Sequence, residues 1–206
     1  MSRSPSPPLP RPATGAARAP QKVRIIGGVW RRTPIPVADV PGLRPTPDRV
    51  RETLFNWLSH LRPDAAGLRG LDLFAGTGAL GFELASRGAA QVVLVEQQPP
   101  QLRQLQALKS RLAAAQVEVI AGEAMAMAAS LPRASFDLVF LDPPFGSGLL
   151  WPAAEASLPL LAAGGLLYAE SDSLITAVAA GTHGFEVVRS ARAGRVCFHL
   201  LQPLNG

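Results

Sequence analysis

A single cysteine, Cys197, leaves the chain unable to form an internal disulfide. It sits in the apolar run Val196-Cys197-Phe198 and reads as a small buried hydrophobe, which suits a reducing, cytoplasmic setting. The three histidines are scattered, and no Cys/His spacing suggests a metal ligand set, so no metal is expected. No apolar run approaches ~18 residues, which excludes an ordinary transmembrane helix. The N-terminus lacks the apolar stretch of a secretory signal. Apolar residues are plentiful instead. They make up 48% of 206 residues, enough for a sizeable core in one globular body.

The net charge of +5 hides a division. Residues 1–62 carry eleven Lys/Arg and three Asp/Glu, a balance of +8, whereas residues 63–206 carry nine and twelve, a balance of −3. The basic character belongs to the N-terminal part. Such asymmetry points to an acidic polymer, RNA or DNA, rather than a membrane.

Three segments are expected. Residues 1–21, rich in Pro, Ser, Ala and Arg, form a basic leader without enough apolar surface to offset chain entropy. Residues 22–62 hold an arm and a helix. Two short extended runs flank Gly27-Gly28, with Arg24, Arg31 and Arg32 on the arm. Thr46 reads as an N-cap, with Pro47 at the first helical position and Asp48 near the positive helix end. Val50, Leu54, Trp57 and Leu58 fall on one face of that helix, while Arg49 and Arg51 cannot share a face. From residue 63 onward strands and helices alternate. Strands are expected near 69–74, 91–96, 117–121, 136–141, 165–170, 185–190 and 195–202. Helices are expected near 79–87, 99–114, 123–131, 151–161 and 172–180. The pattern is α/β, with a mostly parallel sheet and helices on both faces. Only a short turn at Ala193-Gly194 separates the last two strands, so they pair antiparallel.

Two motifs carry chemistry. Asp142-Pro143-Pro144-Phe145 follows the apolar run from Phe136 to Leu141. The prolines fix φ and lack donors, leaving their carbonyls free to accept. With the Asp142 carboxylate and the flat face of Phe145, they suit a planar group bearing an NH2, such as a nucleobase. The second motif runs Asp72-Leu73-Phe74-Ala75-Gly76-Thr77-Gly78-Ala79-Leu80-Gly81, a strand entering a glycine loop and then a helix. Glycines allow a tight turn and close backbone approach, and the helix start offers free N–H groups. A side chain at Gly78 is expected to press against whatever the loop holds. The next strand ends in Glu96, an acid placed to grip two ribose hydroxyls.

Together the motifs resemble class I S-adenosylmethionine (AdoMet) methyltransferases: Asp72-x-Phe74-x-Gly76-x-Gly78 resembles their motif I, and the Asp142 tetrad their catalytic motif for amino groups. Val23-Arg24-Ile25-Ile26-Gly27-Gly28-x-Trp30-Arg31 and the segment from Gly42 to Leu58, with Arg44-Pro45-Thr46, narrow this to the RsmD-type family, which methylates guanine N2 in bacterial 16S ribosomal RNA. The resemblance covers roughly residues 22 to 202. It implies a Rossmann-like, seven-stranded sheet with an antiparallel last strand. It implies AdoMet as cofactor, with S-adenosylhomocysteine as product. Asp72, Phe74, Gly76, Gly78, Glu96, Glu123, Ala124 and Thr46 are then expected at the cofactor, and Asp142, Pro143, Pro144 and Phe145 at the base. The Pro143 carbonyl and Asp142 would accept the N2 hydrogens, and Phe145 would stack on a flipped base. Arg24, Arg31, Arg32, Arg44, Arg192 and Arg195 are candidate RNA contacts, although Arg44 and Arg49 also suit the cofactor pocket. The expected partner is 16S ribosomal RNA in the small subunit or an assembly intermediate, met by a monomer. The same tetrad also serves adenine-N6 and protein-glutamine methylation. A dehydrogenase would share the glycine loop but leave the tetrad idle. A plain RNA-binding module would leave the pocket idle.

Overall fold

The computed structural model describes residues 23–37, 46–63 and 66–204. The leader, residues 1–21, and Arg44 lie outside the described residues. The arm is a short antiparallel pair, β1 (Val23–Arg24) and β2 (Pro34–Ile35), followed by α1 (Asp48–Leu61). The body then alternates through β3 (Arg69–Asp72), α2 (Ala79–Ser86), β4 (Gln91–Glu96), α3 (Pro99–Leu112), β5 (Val117–Ala121), α4 (Ala124–Ser130) and β6 (Phe136–Leu141). It ends with α5 (Leu150–Ser157), a 3-10 turn (Leu158–Leu160), β7 (Leu161–Ser171), α6 (Ala177–Thr182), β8 (Phe185–Ala193) and β9 (Val196–Pro203).

Seven strands form one sheet in the order β5-β4-β3-β6-β7-β9-β8. β3 to β7 pair in parallel, and β9 runs antiparallel between β7 and β8. This is the α/β architecture expected from the alternation of elements. Its cause is visible in the central strands, which are apolar on both faces because helices cover both. In β4, Val92 and Leu94 enter one core with residues of α1, α2 and α3. Val93 and Val95 enter the other, with residues of α4, α5 and α6. The two-residue side-chain period of the strand divides the run between the cores. Gly81 shows how closely α2 lies on the sheet: a Cβ there would stand 2.1 Å from Leu94 Cδ2.

Several boundaries differ from the sequence reading. Thr46 does not cap α1. Pro47 occupies the N-cap and no side chain caps it, because the Thr46 hydroxyl is turned away toward Glu170, 2.8 Å distant. The helix α5 stops at Ser157 instead of running to 161, since Pro159 cannot supply the next helical N–H. β7 therefore begins at Leu161, and its register with β6 jumps from Phe136↔Leu161 to Leu138↔Leu166. The last helix starts at Ala177 rather than 172. The Thr176 side chain accepts from Ala179 N at 3.1 Å, and Ile175 N is held in the preceding loop by His199 Nε2 at 3.0 Å.

Candidate active site

Parallel pairing brings the ends of β3, β4, β6 and β7 to one edge of the sheet, where open α/β sheets hold ligands. The glycine loop leaves β3 there. Gly76 and Gly78 have φ of 52° and 76°, and Gly78 is the left-handed N-cap of α2. A Cβ on Gly78 would meet Leu105 Cδ2 at 2.6 Å and Phe82 Cδ2 at 2.7 Å. A side chain there would enter the core, not press on the loop's contents as the sequence reading held. Glu96 stands beside the loop. Its Oε2 accepts from Gly76 N at 2.9 Å, and its Oε1 accepts from Gln97 N and Gln98 N at 2.9 and 2.8 Å. These bonds lock the carboxylate in one orientation and tie β4 to the loop. Gly122 N in turn donates to Glu96 O at 3.0 Å, which draws the β5–α4 turn to the same edge.

Glu123 is the N-cap of α4, its carboxylate accepting from Met125 N and Ala126 N at 3.0 and 2.9 Å. Those two backbone donors hold its carboxyl below the ordinary value. Ala124 is buried behind it, and Phe74 is half-buried against the α4 and α5 core.

The centre of the edge is acidic. Asp72, Asp142 and Glu170 crowd one region with Thr46 and Tyr168. Thr46 Oγ1 donates to Glu170 Oε1 at 2.8 Å and reaches Asp142 Oδ2 at 3.5 Å, and Tyr168 OH donates to Glu170 Oε1 at 2.9 Å. Burial pushes the Asp72 carboxyl up to about 7, against two backbone hydrogen bonds that hold it down, and the Glu96 and Glu170 charges push it further. Burial, then the Glu170 and Asp72 charges, raise Asp142 well above its usual range. Burial raises Glu170 too. The sign for stability follows. An acid raised in the folded state stabilises most when protonated. The Asp72 contribution is full below 3.8 and lost as pH rises through about 7. A cation entering the cluster would offset that loss, so the donor set is chemically matched to a positively charged ligand.

Within the tetrad, Pro143 is buried and Phe145 is 42% exposed. The Pro144 carbonyl accepts from Ser147 N at 3.1 Å, closing a turn. The sequence reading left both proline carbonyls free to accept, and that of Pro144 is already engaged in this turn. A cleft lined by Pro143, Pro144, Phe145, Leu149, Leu150 and Glu170 opens at this point. Acceptors, an accessible aromatic face and a cleft thus adjoin the carboxylate cluster. Among the described residues, no group of His, Cys, Asp or Glu is arranged to hold a metal ion.

The candidate RNA arginines are scattered. Arg192 and Arg195 are exposed on the β8–β9 turn, and Ser171↔Cys197 and Arg192↔Cys197 pairing sets that turn at the catalytic edge. Arg24 is exposed and pairs with Asp48 at 3.3 Å. Arg31 and Arg32 are exposed in a turn held to the far end of α2, where Val29 N and Trp30 N donate to Ser86 O and Oγ at 2.8 and 2.9 Å. Arg49 is exposed, whereas Arg51 is fully buried.

Arg51, Glu83, Tyr168 and Glu170 escaped the sequence reading. Arg51 donates to Arg24 O and Asp48 Oδ1 at 2.8 and 2.6 Å, and to Thr46 O and Glu83 Oε2 at 3.3 and 3.5 Å. Glu83 also accepts from Ile26 N, Gly27 N and Arg87 Nε at 2.6, 2.8 and 2.8 Å. This buried pair ties the arm, α1 and α2 together and sets where Thr46 stands. Helical spacing held the signal for Arg51: it lies three and seven residues before Leu54 and Leu58, on the apolar face.

Comparison with known proteins agrees with this geometry. A family model described as Conserved hypothetical protein 95 matches residues 23–202. The chain is similar to the ribosomal RNA small subunit methyltransferase D of Escherichia coli strain K12, with 42% identity over 190 residues, 88% of this chain and 90% of that protein. It is similar to the protein of the same name from Haemophilus influenzae, with 43% identity over 145 residues, 68% of this chain and 70% of that one. Its fold matches the solved Escherichia coli structure yhhF, described as a methyltransferase, at a TM-score of 0.73 and 39% identity, covering 88% of this chain and 98% of that one.

Proposed function

Because the chain belongs to the Conserved hypothetical protein 95 family, the RsmD-type family of the sequence resemblance, we propose that it transfers a methyl group from AdoMet to the N2 amine of a guanine in 16S ribosomal RNA. The observation that carries the reading is the meeting of the Asp142 tetrad with the glycine loop and Glu96 at one sheet edge. When bound, AdoMet supplies a methyl group already activated by its sulfonium. Glu96, oriented by three backbone donors, accepts from the ribose hydroxyls. Asp72 would hold the cationic methionine end. The turn at Gly122 and Ala124 borders the adenine, with the Glu123 carboxylate engaged at the helix cap. Asp142 and the Pro143 carbonyl hold the N2 hydrogens and turn the nitrogen lone pair toward the methyl group. This placement supplies the orientation that the reaction needs. Phe145 stacks on the guanine. The direct test is transfer of labelled methyl from AdoMet to small ribosomal subunits: label in the 16S RNA supports the reading, and label confined to protein refutes it.

Cofactor affinity follows from the acid cluster. A bound cation favours ionised Asp72, so AdoMet binding releases a proton below pH 7. Affinity is expected to rise with pH up to about 7 and then level off. Glu96→Ala is expected to lower affinity about a hundredfold, because it removes charge-assisted hydrogen bonds to the ribose and frees the loop. Calorimetry across pH 5–9 checks both statements. A pH-independent wild-type affinity would count against Asp72 as the cation's neighbour.

RNA docking is assigned to the exposed arginines outside the acidic cluster, since that cluster repels phosphate. Replacing Arg31 and Arg32 with alanine is expected to make the plot of log affinity against log salt shallower by about 1–2. Replacing Arg192 and Arg195 is expected to do the same and to slow transfer as well, because their turn borders the catalytic edge. AdoMet affinity stays unchanged in both. Salt titrations of small-subunit binding measure the slopes, and unaltered slopes in both variants would move the RNA surface elsewhere.

A further inference from the structure

Glu170 is a buried carboxylate at the end of β7 that neither the glycine loop nor the tetrad includes. Its Oε1 is held by two hydroxyl donors, Thr46 Oγ1 at 2.8 Å and Tyr168 OH at 2.9 Å. Thr46 is itself fixed, because Arg51 Nε reaches its carbonyl at 3.3 Å. The same hydroxyl stands 3.5 Å from Asp142 Oδ2. One side chain therefore bridges the two carboxylates. Its hydrogen has the shorter contact with Glu170, so Glu170 is the better-stabilised anion of the pair. A second anion beside it is disfavoured, and Asp142 is the carboxylate that gains by taking a proton.

We propose that Glu170, held as the anion by the Thr46 and Tyr168 hydroxyls, is a positioning residue that keeps Asp142 basic enough to receive the N2 proton. The proposal rests on the methyl-transfer reading above. As the guanine nitrogen forms its bond to the methyl carbon, the C–S bond breaks and its electron pair stays on sulfur. The nitrogen is left with one surplus proton, which passes to the Asp142 carboxylate. Guanine N2 is returned neutral, and the negative charge that remains in the cluster rests on Glu170, where two donors already solvate it. The groups facing Glu170 are Tyr168 from its own strand, Thr46 from the segment before α1, Asp142 after β6 and Asp72 at the end of β3. Its partner across β9 is the neutral Phe198. Among the described residues no salt bridge to Glu170 is formed. Burial, the Glu170 charge and the Asp72 charge raise the Asp142 carboxyl, against the Thr46 hydroxyl, which holds it down.

The test is a carbon-detected NMR titration of aspartate-labelled full-length protein without cofactor, with the Asp142 signal identified by its loss in Asp142→Asn. Glu170→Gln keeps size and an acceptor but removes the charge. It is expected to lower the Asp142 midpoint by about one pH unit. An unchanged or higher midpoint overturns the proposal. In single-turnover transfer to small subunits, the acid limb of the Glu170→Gln profile should move to lower pH while its plateau falls at least about tenfold. Should Glu170→Gln fail to fold, the Thr46 pair decides. Thr46→Val is expected to lose most of the rate, and Thr46→Ser to retain it. Equal rates in those two variants overturn the proposal. If wild-type protein transfers no methyl to guanine while the midpoint still shifts, the functional reading falls and the coupling between the carboxylates stands.

Discussion

Asp142→Ala protein is expected to bind AdoMet nearly as well as wild type and to transfer methyl about a thousandfold more slowly. The separation follows from where the residues stand. Glu96 and the glycine loop hold their places through backbone bonds that do not involve Asp142. Among the described residues the Asp142 carboxylate has one side-chain partner, Thr46, and the cleft opens beside it at Pro143. Guanine N2 is a poor nucleophile because its lone pair is delocalised into the ring. Losing the acceptor that localises that pair and takes the proton therefore falls on the chemical step. Phe145→Ala differs in kind. It is expected to weaken base placement by about 1–3 kcal/mol through lost stacking, seen mainly in KM. Calorimetry with AdoMet and single-turnover kinetics on small subunits check the pair. Near-normal turnover by Asp142→Ala would remove the tetrad from the mechanism.

Glu83→Ala is expected to destabilise the protein by about 3–5 kcal/mol, because it takes one of two carboxylates from the fully buried Arg51 guanidinium and leaves a cavity beside it. The same change leaves Ile26 N and Gly27 N without their acceptor, so the arm loosens from α2. For a chain of this size the loss corresponds to a melting point lower by roughly 6–20 °C. Combining Glu83→Leu with Arg51→Met is expected to recover only part of that stability, since the buried charge is removed but Ile26 N and Gly27 N still lack an acceptor. Thermal melts of the single and double variants form the cycle. A Glu83→Ala melt within 2 °C of wild type, by the same reckoning, would show that the buried pair contributes little.

Legibility in the sequence followed how local each signal was. The strands Gln91–Glu96, Val117–Ala121 and Phe136–Leu141 were read at their observed ends, because an apolar run bounded by polar turns needs only its own residues. The terminal hairpin was equally legible from the short turn at Ala193-Gly194. Thr46 misled because a Thr-Pro-Asp string is a good local cap signal, and the competing partner, Glu170, lies 124 residues away in sequence. The buried pair of Arg51 and Glu83 shows the same limit. Each reads locally as a charge on a helix, and only packing of α1 against α2 removes both from water. At the β7 end, Tyr168 and Glu170 looked like the ordinary end of a buried strand. Their meaning came from the parallel register that sets Glu170 near Asp142. The helix expected from 123 was legible for the same local reason: it begins at Ala124, with Glu123 as its cap.

The central claim is the identity of the methylated atom, and nucleoside analysis addresses it most directly. Small ribosomal subunits lacking the modification would be incubated with the protein and AdoMet, the 16S RNA digested, and the nucleosides separated and weighed by mass spectrometry against standards. The account predicts one new species, N2-methylguanosine, formed by wild-type protein and absent with Asp142→Ala. N6-methyladenosine in its place, or methyl groups recovered only on glutamine side chains of ribosomal proteins, would contradict it.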